Sequence, residues 1–243
     1  MYFLFSGEGP TDMGVGTGAA VICEGDDYQT GPMAVIVDQI VERHPRHQYS
    51  PLDSQYCGFV SERQLVARAA ELKAVKKSLS LPGFRQRKET RYFFNNARML
   101  ARIAKEKQDS RPDEEVIAVL FRDCDGTASA GRGLWDDKHD SILHGFQQEG
   151  FDWGVPMLPK PKSEAWLIAG ITGRMSHEGT PLEEWSGNDN APTPLKAALA
   201  ELIGQQPSRE VLYGLMRDGT VDYERIHLPK FDVFHARLQS FLE

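Results

Sequence analysis

The sequence predicts an α/β fold: a mainly parallel sheet flanked by helices, with a basic helical insertion and a helical C-terminal tail. The first observation behind this is Val116–Phe121, an apolar run rich in β-branched and aromatic residues. Such a run suits a strand buried on both faces. The second is an amphipathic helix over Leu134–Gln148, succeeded by a stop at Gly150 and another apolar stretch over residues 153–158. Strand, helix and strand at this spacing make a βαβ unit, whose two strands run parallel. The third is an apolar N-terminal strand over residues 2–5. The 243 residues read as one domain, with 13–110 as the insertion lobe and 172–243 as the C-terminal extension.

After the first strand, residues 6–12 (Ser-Gly-Glu-Gly-Pro-Thr-Asp) form a tight loop, and glycine recurs at 14, 16 and 18. No Gly-Lys-Ser/Thr closes a P-loop, and the spacing does not suit a dinucleotide-binding turn. Residues 25–30 are polar and read as irregular, and 33–43 as a helix ending before Pro45. His44 and His47 lack a partner pair and mark an exposed helix end rather than a metal site. Residues 51–59 are turn-rich. Ser61 caps a helix reaching residue 77, and 79–88 is a loop carrying Arg85, Arg87 and Lys88. Residues 89–107 are the clearest helix. Phe93, Ala97, Leu100 and Ala104 form its apolar stripe, with Arg91, Arg98, Arg102 and Lys105 on another face. Further on, His139 lies on the apolar side of its helix and reads as packed. Ser163 is expected to cap a helix over 165–171, and three more helices are expected over 194–202, 210–216 and 231–242.

Forty percent apolar and 26 percent charged residues describe a folded domain. Three scattered cysteines exclude a disulfide framework or a zinc cluster and favour a reducing, cytoplasmic setting. Residues 1–5 are too short for a signal peptide or a membrane span, so no membrane partner is expected. The net charge of −7 conceals an asymmetry, because residues 63–107 hold 13 Lys or Arg against 3 acidic residues. A segregated basic block in an acidic chain is a footprint for a polyanion such as nucleic acid. Arg85, Arg87, Lys88, Arg91, Arg98 and Arg102 are its candidate contacts.

The chemistry concentrates in acids placed just after strands. Asp123 and Asp125 come directly after Val116–Phe121, with Gly126 and Thr127 next. Ligands of open parallel sheets bind beyond the carboxyl ends of the strands. Two carboxylates this close repel unless a cation sits nearby, and oxygen ligands suit Mg²⁺ or Mn²⁺. Glu8 and Asp12 form a second acidic loop, after the first strand. Glu164 opens the helix beyond residues 153–158, where the helix dipole also favours an acid. Lys160 and Lys162 bring positive charge there for a phosphate or a leaving oxygen.

Glu8 after the first strand, Asp123-Cys-Asp125 after a central strand and a later Glu in Ser163-Glu-Ala-Trp166 resemble, in order and placement, the TOPRIM domain. This Rossmann-like, metal-binding fold is shared by topoisomerases, primases and OLD-family nucleases. The Glu-Ala-Trp segment looks like that of small stand-alone TOPRIM-like bacterial proteins, several of them beside ATPases in phage-defence loci. The resemblance covers residues 1–12 and 115–170. It implies a metal-dependent nuclease of DNA or RNA, tRNA included, with Glu8, Asp123 and Asp125 holding divalent ions. Glu164 and Asp12 would assist, Lys160 or Lys162 would steady the phosphate, and an ATPase is the partner it suggests. The gap between Glu8 and Asp123 is longer than in the compact family domain. A rival resemblance is the haloacid-dehalogenase-type phosphatase, whose Asp-x-Asp-Gly-Thr signature matches Asp123 to Thr127. It would make Asp123 a nucleophile and leave Glu8 without a role. A third reading is a non-catalytic TOPRIM-like subunit of a larger complex.

Overall fold

A computed structural model describes residues 1–9, 12–75, 88–124 and 134–243. The first half of the chain holds β1 (Tyr2–Ser6), β2 (Gly14–Gly16), β3 (Cys23–Glu24), β4 (Tyr28–Thr30) and α1 (Pro32–Glu42). These are succeeded by β5 (Cys57–Phe59), α2 (Glu62–Val75) and α3 (Lys88–Ser110). Then come β6 (Val116–Phe121), α4 (Leu134–Gln148), β7 (Gly154–Met157) and α5 (Ser163–Thr172). A small hairpin of β8 (Ser176–His177) and β9 (Thr180–Pro181) leads to α6 (Leu195–Ile203), α7 (Arg209–Arg217) and α8 (Pro229–Gln239).

The central sheet has five strands in the order β3-β5-β1-β6-β7. Every pairing in it is parallel except that of β3 with β5. The α/β class with a mostly parallel sheet is therefore present. Strand alternation divides the core into two layers. Phe3 and Phe5 of β1 and Ile117, Val119 and Phe121 of β6 pack with α1, α5, α6, α7 and α8 on one face. Tyr2 and Leu4, with Val116, Ala118 and Leu120, pack with α2, α3 and α4 on the other. On the first face Trp166 of α5 is fully buried, with its ring centroid 5.0 Å from Phe231 and 5.6 Å from Phe234 of α8.

Residues 13–110 contribute strands as well as helices and lie within these layers. β5 pairs with β1 in register Phe3 to Cys57, and β3 extends the sheet beyond it. The expectation of irregular structure over 25–30 is corrected by β4, and the segment over 51–59, turn-rich as expected at 51–55, ends in β5. Both are three-residue strands held by partners elsewhere in the sequence, too short to show a period. Gly14 lets β2 meet β4 closely: its φ is +110°, and a Cβ there would lie 2.2 Å from the Gln29 carbonyl oxygen. Ser61 caps α2 as expected, its Oγ accepting the Gln64 N–H at 3.3 Å. The 79–88 loop lies almost wholly outside the described residues. No helix among the described residues is long and apolar enough to cross a membrane. Cys23, Cys57 and Cys124 are buried and in no disulfide among the described residues.

Candidate functional site

Topology brings the acids together. From β1 the chain passes through α1, on one face, to reach β5. It then passes through α2 and α3, on the other face, to reach β6 on the opposite side of β1. Connections departing to opposite faces leave a crevice between the carboxyl ends of β1 and β6, the switch point of an open α/β sheet. Ser6 pairs in register with Leu120, so the segments carrying Glu8 and Asp123 leave the sheet side by side.

Asp123 is the centre of this crevice. Its Oδ1 accepts the backbone N–H of Ser163 at 2.9 Å, at the first turn of α5. The Ser163 hydroxyl donates to Asp12 Oδ1, also at 2.9 Å. Ser163 therefore does not act as the expected helix cap: it is the first residue of α5, Lys162 holds the cap position, and the serine bridges two acids instead. Asp12 is fixed through its backbone as well, its carbonyl accepting the Met33 N–H at 3.0 Å. Gly31 permits this approach, since a Cβ there would lie 2.2 Å from that carbonyl oxygen. One oxygen of Glu164, Oε2, is buried without a hydrogen-bond partner among the described residues.

Burial raises the Asp123 pKa well above the ordinary carboxylate value, and the charges of Asp12, Glu164 and Glu8 add to this in that order. The Ser163 amide acts in the opposite sense. Acids from the β1 loop, the end of β6 and the start of α5 thus act on one point, and the field that favours a proton there also favours a cation. Carboxylate oxygens are the donors a hard divalent ion prefers, so the chemistry of the set fits Mg²⁺ or Mn²⁺. As the side chains stand, no group of three or more acidic, histidine or cysteine residues among the described ones is gathered closely enough to hold a metal. Asp125 lies outside the described residues.

Two buried cations that sequence reasoning passed over bond the backbone on either side of Asp123. Arg122 is completely buried and its Nη1 donates to the Phe121 carbonyl at 2.6 Å, while Nε and Nη2 have no hydrogen-bond partner among the described residues. Its Nε lies 3.9 Å from Glu8 Oε2, and its guanidinium lies 5.5 Å from the Tyr92 ring centroid. Lys138 of α4 is also buried and donates to the Cys124 carbonyl at 2.5 Å. Arg122 had one sequence signal: counted on from Val116, Ala118 and Leu120, its position falls on the face covered by α3. Lys138 had none, because its spacing makes it look like one more polar residue of an amphipathic helix.

The predicted basic residues have varied positions. Lys162 donates to Asp189 at 3.0 Å, and the charge of Lys160 acts on Glu183. Arg91 is exposed in the first turn of α3. Arg98 and Arg102, expected on a phosphate-binding face, both hold Glu149 near the C-terminus of α4, through Nε contacts of 2.6 and 2.7 Å. Lys107 likewise holds Glu24, at 2.9 Å. These pairs lie toward the C-terminal end of α3, which leads into the amino end of β6, away from Asp123. Arg85, Arg87 and the Lys88 side chain lie outside the described residues. His139 is packed as expected, its ring stacked 4.7 Å from Trp135.

No family model, curated protein or solved structure matches this chain.

Proposed function

We propose that this chain is a divalent-metal-dependent nuclease of TOPRIM type, with Glu8, Asp12, Asp123, Asp125 and Glu164 as its acidic centre. One observation carries the reading: at the switch-point crevice Ser163 joins Asp123 and Asp12, carboxylates of two distant segments, through its amide and hydroxyl at 2.9 Å each. A dehalogenase-type phosphatase would need Asp123 and Asp125 but has no use for Glu8 or Asp12. A bound Mg²⁺ or Mn²⁺ supplies charge stabilisation for the attacking and leaving oxygens of a phosphodiester. The carboxylates would hold the ion, and Ser163 orients two of them through its amide and hydroxyl. Arg122 balances Glu8 from beneath, while Lys160 or Lys162 steadies the substrate phosphate. An ATPase partner, a role in phage defence and a cytoplasmic setting belong to the same reading.

The test is hydrolysis of plasmid, single-stranded DNA, total tRNA, bis(p-nitrophenyl) phosphate and p-nitrophenyl phosphate, with Mg²⁺, Mn²⁺ or EDTA. Phosphodiester cleavage that requires metal and falls at least about 100-fold, or about 2.7 kcal/mol, in both Glu8→Ala and Asp123→Ala is the expected result. Monoester hydrolysis that needs Asp123 and ignores Glu8 overturns it in favour of a phosphatase. Metal binding without any hydrolysis overturns it in favour of a non-catalytic subunit.

A further inference from the structure

A cleft of about 500 Å³ opens directly beside Glu8. One wall is the β1 loop, Gly7 to Gly9, and the edge of β2 at Gly14 and Val15; the other is Phe59 and the first turns of α2. Its volume falls in the range of roughly 300–1,000 Å³ common for small-molecule sites. The lining is mainly apolar, supplied by Val15, Phe59 and Val66. Phe59 is held rigid by stacking on Tyr28, with 5.3 Å between ring centroids and 4° between planes. Val66, 51% exposed, adds open aliphatic surface to this lining. Polar groups also line it, namely Glu8, Ser61, Glu62 and Arg63, with the Glu62 carboxylate hydrogen-bonded to Tyr92. Arg63 is exposed, and no salt bridge engages it among the described residues.

We propose that this cleft receives an unpaired nucleobase next to the cleavage centre, so that the substrate is single-stranded nucleic acid. The inference rests on the nuclease reading and names the substrate class for that same site. A nucleobase has the complementary chemistry, with apolar faces for Val15 and Val66 over the buried Phe59, and a polar edge for the Ser61 hydroxyl, which accepts the Gln64 N–H as the α2 cap and keeps its own proton to donate. Arg63 then meets the neighbouring phosphate. In a duplex the faces are stacked and the edges paired, so entry would require extrusion at the expense of unstacking. An unpaired strand meets no such barrier, and apolar or aromatic contact with base faces is the usual basis of sequence-tolerant single-strand binding. Glu8 lines the cleft and also acts on Asp123. A base seated there therefore presents its adjoining phosphodiester to the carboxylates.

The experiment is fluorescence anisotropy with a labelled 12-nucleotide single strand, DNA and RNA, and the matching blunt duplex, with Ca²⁺ in place of Mg²⁺. The single strand should bind at least 10-fold more tightly than the duplex. Val66→Glu should weaken single-strand binding at least 10-fold. Arg63→Glu should weaken it and reduce the salt dependence by about one counterion. Val233→Glu, the same exchange on the exposed face of α8, should change nothing. Equal or tighter duplex binding, no binding at all, or indifference to both cleft variants overturns the cleft assignment. Bis(p-nitrophenyl) phosphate hydrolysis that depends on Glu8 and Asp123 would still support the nuclease. Conversely, cleft-dependent single-strand binding without hydrolysis of any phosphodiester supports the cleft and overturns the nuclease.

Discussion

At the scale of single residues, Ser163 links the acids most directly. Its backbone amide holds Asp123 and its hydroxyl holds Asp12, so one residue links the two carboxylates. Ser163→Ala should leave the amide contact intact and release Asp12. Groups that orient metal ligands are commonly worth about 10–100-fold in affinity. Mn²⁺ binding, monitored by electron paramagnetic resonance, should therefore weaken by at least about 10-fold, while the melting temperature falls only slightly; unchanged Mn²⁺ affinity would remove Asp12 from the centre. His235 offers a residue-scale test of stability. Its Nε2 is buried without a partner among the described residues, and burial lowers its pKa below the ordinary histidine value. The unfolded chain therefore takes up a proton at this site more readily than the folded one as pH falls through about 6.5. Stability from this site is complete above that pH and is lost below it. Burial lowers the His139 pKa as well, whereas burial raises those of Asp38 and Glu183, which act in the opposite direction. The informative quantity is thus a difference: the loss in melting temperature between pH 7.5 and 5.5 should be smaller in His235→Phe than in the parent.

At the scale of elements, α3 shows how a basic stripe can serve packing. Arg98 and Arg102 converge on Glu149, whose side chain is 9% exposed, and Lys105 adds a bond to the Glu149 carbonyl at 3.0 Å. They fasten α3 to the end of α4 across the face of the sheet. Charge-assisted hydrogen bonds contribute about 1.5–3 kcal/mol, and Arg102 is open enough to solvent that the lower end applies to it. Glu149→Ala should cost about 2 kcal/mol and lower the melting temperature by roughly 4–8 °C, given about 2–4 °C per kcal/mol at this chain length. Nucleic-acid affinity should not fall with it; a large loss of affinity would show that the paired arginines also contact the ligand. The element boundaries show which structure was legible in the sequence. β6 and α4 coincide with the expected spans, because a six-residue apolar strand and a fifteen-residue amphipathic helix each carry enough residues to display a period. β3, with two residues, and β5, with three, carry none.

At the scale of the whole molecule, the sheet order decides where chemistry takes place. Because β1 lies between β5 and β6, a loop near the start of the chain meets one that begins after residue 121. α5 then brings Ser163 and Glu164 to the same crevice. The candidate acids were legible one at a time, as carboxylates after apolar runs, because an acid that ends a strand stands out against its neighbours. By itself the sequence determined the α/β class, the order of the long elements and the acids that end β1 and β6, all of which derive from local periodicity and residue type. Only the tertiary structure decided that Ser163 bridges two of those acids and that Arg122 lies buried beneath Glu8. It alone likewise assigned Arg98 and Arg102 to Glu149 and opened the apolar cleft beside Glu8. Each of these depends on groups from distant segments meeting in space, and such pairings leave no periodic trace in the chain.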